Sequence, residues 1–147
     1  MKALSNFDID IYYKNNKLYG GCYARDTLPK NGPRGLFYIM NMDDEKGDGS
    51  HWVLIFDCLP DRTIYMDSFA VSPPEEALKF MQKTKKRLVV NDMQIQSMNS
   101  DSCGWMCLYV SDHLLKGYSL AQTILGGLLT TDNTNTSEKN LQGYFKQ

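Results

Sequence analysis

The sequence has few of the features that would place it quickly. It carries only two histidines, His51 and His113, so candidate bases are scarce. It has little excess of either charge, with 16 Lys and Arg against 17 Asp and Glu. That balance excludes a general nucleic-acid binder, which is strongly basic as a rule. It also excludes a highly charged disordered tail. No apolar run approaches the ~20 residues that a membrane helix needs. Met1 to Asp10 lacks the basic-then-apolar order of a secretory signal, so an intracellular protein with no membrane partner is expected. Cysteine is sparse: Cys22, Cys58, Cys103 and Cys107 are too few for a stapled secreted scaffold. Cys103 and Cys107 do not have the spacing of a redox pair, and two histidines do not complete a zinc site. Free thiols in a reducing compartment are the simplest reading, with no metal and no cofactor.

What is present is an ordinary globular mixture, 147 residues with 42% hydrophobic and 22% charged. Residues 1–147 read as one domain, able to bury roughly 68–70% of the surface its unfolded chain exposes. There is no internal repeat. Residues 4–14 admit two readings. Phe7, Ile9 and Ile11 alternate with Asp8 and Asp10 as in a strand. Alternatively, Ser5 or Asn6 caps a short helix with an acidic first turn. Asn15-Asn16 and Gly20-Gly21 read as chain breaks, and Leu28 to Pro33 as a loop.

Gly35–Met42 and Trp52–Cys58 are nearly continuous apolar runs, and Thr63–Met66 is short and β-prone. Such runs suit strands buried on both faces, in a sheet covered by helices. Leu59-Pro60-Asp61-Arg62 is a tight turn between the second and third. Ser72-Pro73-Pro74-Glu75-Glu76 starts a helix that ends in the basic stretch Lys83 to Arg87, read as its solvated C-terminal end. Leu88–Ile95 reads as a fourth strand. Asp101-Ser102 caps a helix from Cys103 through Leu115, closed by Gly117. Ser119–Leu129 is helical but interrupted by Gly126-Gly127. A polar loop, Thr130 to Thr136, leads to a last helix, Ser137–Phe145. The whole is an α+β fold: a mixed, mostly antiparallel sheet of four or five strands with the Cys103 helix packed on it.

The chemistry concentrates at four positions. His113 lies ten helical residues beyond Cys103, ~15 Å along the axis, and cannot pair with it. His51 stands at the start of an apolar strand, and Asp67 at the end of the next. A hairpin through Pro60-Asp61 makes them neighbours, so that a carboxylate fixes the imidazole tautomer and supports its charge. Cys103 opens a helix whose N-terminus favours a thiolate. With His51 beside it, a thiolate–imidazolium couple forms. Gln96 lies seven residues before Cys103, where a side-chain amide can donate to an oxyanion together with the Cys103 N–H. Each residue alone has an ordinary structural reading: a packed histidine, a chance carboxylate, a buried small thiol. Cys58 and Cys107 fit that last description.

Taken together, His51-Trp52, Asp67, Gln96 and Cys103-Gly104 resemble the adenovirus-type cysteine endopeptidase family (the adenains) and the related maturation proteases of virophages and mobile DNA elements. Gly49-Ser50-His51-Trp52 is similar to the family's Gly-x-His-Trp. Gln96 through Gly104 is similar to its Gln-x-x-Asn-Ser-x-x-Cys-Gly segment without a gap. Gly21 to Pro29 resembles its pre-catalytic turn, and Asn140 to Phe145 its C-terminal helix. The resemblance implies a papain-like fold with the nucleophile at a helix N-terminus. It implies Cys103 as nucleophile, His51 as base, Asp67 as its orienter and Gln96 in the oxyanion hole. It implies an endopeptidase cutting at Gly-containing sites in polypeptides, capsid or core precursors foremost. The place of action expected is the virion or the host cytoplasm, and nothing in the pattern demands more than a monomer.

Two departures qualify the carry-over. Asp67 stands where the adenoviral enzymes carry Glu; aspartate is the choice of the SUMO-type isopeptidases, so removal of ubiquitin-like tags is the alternative activity. A third possibility is a non-enzymatic capsid- or scaffold-binding module. The cysteine that attaches the adenoviral activating peptide has no equivalent, Lys85 standing near it. DNA contact, if made, is weak and falls to Lys83, Lys85, Lys86 and Arg87. Two internal strings, Leu18-Tyr19-Gly20-Gly21 and Ile124-Leu125-Gly126-Gly127, have the form of cleavage sites but read as turns and helix stops.

Overall fold

The apolar runs become the centre of a five-stranded sheet. The computed structural model describes residues 1–31, 34–47, 51–128 and 134–146. The strands are β1 (Tyr19–Ala24), β2 (Phe37–Asn41), β3 (Trp52–Phe56), β4 (Arg62–Met66) and β5 (Arg87–Val90), in the spatial order β1-β2-β3-β4-β5. The helices are α1 (Asn6–Tyr13), α2 (Glu75–Gln82), α3 (Cys103–Leu115), α4 (Leu120–Thr123) and α5 (Thr134–Phe145), with a π-helical turn over Ile124–Leu128. Gly32-Pro33 of the expected loop, the Gly49-Ser50 pair, Leu129 and positions 130–133 of the polar loop lie outside the described residues.

The central strands are buried on both faces, as their unbroken hydrophobicity requires. Alternate side chains feed two cores. Phe37, Ile39, Leu54, Phe56, Ile64 and Met66 pack toward α1, α3 and α5. Tyr38, Met40, Val53, Ile55 and Tyr65 pack with Ala77 and Met81 of α2 on the other face. The sheet is therefore the middle of three layers.

Four expectations are corrected. The sheet is not mostly antiparallel: β2–β3 and β3–β4 are antiparallel, but β1–β2 and β4–β5 are parallel. Both outer strands arrive by crossovers, one of them carrying α2, and a crossover sets a strand parallel to its predecessor. Gly20-Gly21 does not break the chain but lies within β1. A Cβ at Gly20 would sit 2.2 Å from the Tyr38 ring, and Gly21 takes φ +117° where the β1–β2 register shifts. The glycines are thus the demands of a bulged strand. The expected strand Leu88–Ile95 stops at Val90. Beyond it the Asn91 side chain bonds to the backbone of Asp67, and the Ile95 N–H to the Ser68 carbonyl. Finally, the basic stretch after α2 is not simply solvated. The Lys86 ammonium reaches the buried Asp57 carboxylate at 2.7 Å.

The ambiguity at residues 4–14 resolves as helix α1. Ser5 caps it in a reciprocal box with Asp8, which satisfies two backbone donors that an isolated strand would leave to water. The last helix begins at Thr134, three residues before the expected Ser137. Helix α3 ends in a Schellman motif, with Gly117 at φ +97° and the Tyr118 N–H bonded to the His113 carbonyl.

Candidate active site

The β3–β4 hairpin brings the first two site residues together. Its register pairs Leu54 with Met66 and Phe56 with Ile64. Continued past the last pair, it sets Asp67 opposite Val53 and makes His51 the diagonal neighbour, within reach of a side-chain contact. His51 Nε2 and Asp67 Oδ1 are 2.7 Å apart. The His51 ring stacks on Phe69, with centroids 4.7 Å apart. Asp67 is 1% exposed. Its Oδ1 also accepts the Phe69 N–H at 2.8 Å. The Asn91 side chain holds its backbone on both sides, accepting from the Asp67 N–H and donating to the Asp67 carbonyl. The carboxylate that faces His51 thus takes one backbone N–H, from Phe69, while Asn91 holds the backbone that carries it.

Cys103 is the first residue of α3, and the Trp52 N–H donates to its Sγ at 3.5 Å. His51 lies between this sulfur and Asp67, and with Nε2 on the carboxylate, Nδ1 is the nitrogen left for the thiol. Burial disfavours a charge on His51. The hydrogen bonds to Asp67 and Cys103, with the negative charge both can carry, outweigh it and push the imidazole up to about 9. The other thiols have different surroundings. Burial pushes Cys22 and Cys58 up to about 12 and Cys107 well above its ordinary value. Those three remain neutral thiols at pH 7, whereas Cys103 sits beside an imidazole and a helix N-terminus.

Gln96 is 1% exposed and lines the same cavity as His51, Trp52, Phe69 and Cys103, a space of about 160 Å³. Its Oε1 accepts from the Ser68 hydroxyl, and its Nε2 donates to the Ser100 carbonyl at 2.8 Å. An amide nitrogen has two hydrogens, so one stays available to a ligand. The Cys103 N–H at the start of α3 is the second donor of this kind. His51, Gln96 and Cys103 thus line one small cavity, and Asp67 stands behind His51. His113 is not part of it: its Nδ1 meets the Tyr109 carbonyl at 2.7 Å within α3. Among the described residues no group of three or more His, Cys, Asp or Glu is placed to hold a metal ion. No helix among them is long and apolar enough to cross a membrane.

The sequence pattern missed one wall of this cavity. Ala3 and Leu4 line it. Two indoles hold this N-terminal strap: Trp52 Nε1 donates to the Leu4 carbonyl at 2.9 Å and Trp105 Nε1 to the Lys2 carbonyl at 2.7 Å. A Cβ on Gly104 would stand 3.0 Å from the Leu4 Cβ, so this glycine makes room for the strap. Trp52 therefore does more than fill a core; it closes the cleft by pinning Leu4. Phe69, Ser68 and Asn91 were also missed. No local motif marks them, since each acts on a residue brought near by the hairpin or by β5.

No family model and no curated protein matches this sequence. Among solved structures, the crystal structure of the ASFV pS273R protease superimposes with a TM-score of 0.64 at 17% identity, over 95% of this chain and 66% of that one. Its selenomethionine form gives a TM-score of 0.58 at 16% identity, over 94% and 66%. ChlaDub1 from Chlamydia trachomatis gives 0.46 at 26% identity, over 67% and 46%. The chain thus spans just under two thirds of the length of the ASFV protease, and with that protein it shares a fold.

Proposed function

We propose that this chain is a cysteine peptidase whose nucleophile is Cys103. The observation that carries the reading is the placement of His51, bonded to buried Asp67 at 2.7 Å on one side and set against Cys103 on the other. The shared fold with a viral protease supports it. In the reaction, the Cys103 thiolate adds to the substrate carbonyl carbon. The oxyanion that forms takes hydrogen bonds from Gln96 Nε2 and the Cys103 N–H. The His51 imidazolium gives its proton to the departing amine, and the C–N bond breaks to leave a thioester. Water, losing a proton to His51, then attacks the thioester and releases the acid and the thiol. Asp67 orients His51 and supports its charge throughout.

The cavity of about 160 Å³, closed on one side by Leu4, suits residues without side chains next to the scissile bond. The family resemblance adds the rest of the proposal: cleavage at Gly-containing sites, with capsid or core precursor proteins as the substrates and the virion or host cytoplasm as the place of action. The same narrow cavity and the aspartate at position 67 also suit an isopeptidase that trims the Gly-Gly tails of ubiquitin-like tags. The test is release of amidocoumarin from a Leu-x-Gly-Gly peptide, wild type beside Cys103→Ala. Turnover by wild type alone supports the peptidase. Equal turnover by Cys103→Ala rules the mechanism out. A tag–amidocoumarin conjugate then separates the two activities. No turnover, together with a Cys103 that alkylates no faster than a free thiol, favours a binding role.

A further inference from the structure

The cavity needs two donors held in fixed relation, Gln96 Nε2 and the Cys103 N–H, yet the segment between them belongs to no helix or strand. Its own bonds are local. Gln96 Nε2 donates to the Ser100 carbonyl, the Ser100 N–H to the Ser97 carbonyl at 3.1 Å, and the Ser102 N–H to Ser100 Oγ at 3.3 Å. Met98 in its middle is 73% exposed. Left to these contacts, the loop could move as a unit relative to the sheet.

We propose that Glu138 is the positioning residue that holds this loop, and so aligns the two oxyanion donors. One carboxylate oxygen, Glu138 Oε1, accepts from the Ser97 N–H at 3.3 Å, the Ser100 hydroxyl at 2.7 Å and the Ser102 hydroxyl at 2.7 Å. The neighbouring Ser137 hydroxyl donates to the Ile95 carbonyl, just before Gln96. Two consecutive residues of α5 therefore fasten the loop at its start, its middle and its end. Bonds to a carboxylate are roughly twice as strong as neutral ones, which suits a latch.

The latch also explains an oddity at the start of α3. Ser102 is the N-cap residue, but its hydroxyl makes no capping bond. It points to Glu138 instead. A serine at this position usually accepts from the N–H groups of the first turn. Here those donors take no bond from the Ser102 side chain, and the first of them, the Cys103 N–H, belongs to a residue that lines the cavity. The expectation that Asp101-Ser102 caps the helix holds for the position, Ser102 being the N-cap, and is corrected only for the side-chain bond.

The inference rests on the peptidase reading, and the experiment keeps the two apart. Three quantities are measured in wild type, Glu138→Ala and Glu138→Gln: kcat and KM on the Leu-x-Gly-Gly amidocoumarin peptide, the iodoacetamide rate at Cys103, and amide hydrogen exchange over residues 97–102. An oxyanion forms only during turnover, so its loss appears in kcat rather than KM. Glu138→Ala is expected to lower kcat by about 10- to 100-fold, less than the about 10²–10³-fold cost of deleting an oxyanion donor. KM and the alkylation rate stay unchanged, because alkylation makes no oxyanion, and exchange over 97–102 quickens. Glu138→Gln keeps an acceptor oxygen of the same reach and recovers most of kcat. Unchanged kcat in Glu138→Ala overturns the proposal. So does a parallel fall of kcat, alkylation rate and thermal midpoint, which would mark a merely structural contact. A wild type without Cys103-dependent turnover overturns the peptidase reading instead, and hydrogen exchange alone then decides whether Glu138 holds the loop.

Discussion

His51 and Asp67, 16 residues apart in the chain, meet at 2.7 Å because a hairpin folds one strand back on the next. The contact is more than proximity. Asp67 is buried, its main chain is held by Asn91, and its Oδ1 takes the Phe69 N–H as well as His51.

The first prediction concerns pH. The His51 imidazole is raised from its ordinary 6.5 to about 9 in the fold, so its charge favours the native state. By linkage that contribution is complete below 6.5 and disappears as the pH rises through about 9. The stability gap between wild type and His51→Gln is therefore expected to be wider at pH 6 than at pH 10. Urea denaturation at both pH values checks this; a gap of constant width would contradict it.

Asp67→Asn removes the largest hydrogen-bonding support for the imidazolium, after burial has opposed it. Turnover is expected to fall by about 10²-fold, within the range that general acid–base groups contribute. The alkaline limb of the kcat/KM profile should move to lower pH. A profile that keeps its alkaline limb would separate Asp67 from the base.

Asn91→Ala leaves the buried backbone N–H and carbonyl of Asp67 without their side-chain partner. A loss of about 1–3 kcal/mol is expected from unmet buried groups. Activity should fall as well, because the backbone that carries the carboxylate loses its anchor. Thermal melts and kinetics on the same sample read both effects.

The N-terminal strap is tested by two substitutions that act on it from opposite sides. Trp52→Phe keeps an aromatic ring, a smaller one, but removes the N–H that holds the Leu4 carbonyl. Gly104→Ala places a Cβ 3.0 Å from Leu4 and pushes the strap outward. Helix propensity alone would make the alanine more stable by about 1 kcal/mol. Both variants are expected to raise KM more than they lower kcat, and to accept a larger residue beside the scissile bond. Unaltered specificity in both would show that the strap does not shape the cleft.

A control lies away from the cavity. Lys86 pairs with Asp57 at 2.7 Å, and Asp57 is 5% exposed. Lys86→Met leaves that carboxylate without its cation, which typically costs about 3–5 kcal/mol for a buried pair; the partly exposed lysine places it at the lower end. Turnover below the new melting point should not change.

The amino-acid order by itself determined the central strands, the tight turn between β3 and β4, and the helix beginning at Cys103. These follow from local causes: unbroken apolar runs, Pro60-Asp61, and the helix-start signal at Asp101-Ser102. The meeting of His51 with Asp67 and the place of Cys103 were legible for the same reason, since strand ends, a turn and a helix start fix where they stand. Tertiary structure decided what depends on distant partners. β1 contains Gly20-Gly21, which locally favours a break, and only the Tyr38 ring and the parallel pairing with β2 make it a strand. Lys86 looked like a solvated helix end until Asp57 came beside it. Ser102 looked like a cap until Glu138, 36 residues on, drew its hydroxyl away. Leu4 gave no sign of lining a cleft, because Trp52 and Trp105 lie 48 and 101 residues beyond it. A hydrogen bond to a remote residue leaves no periodicity in the chain, so these relationships exist only once the sheet has brought the ends of its strands together.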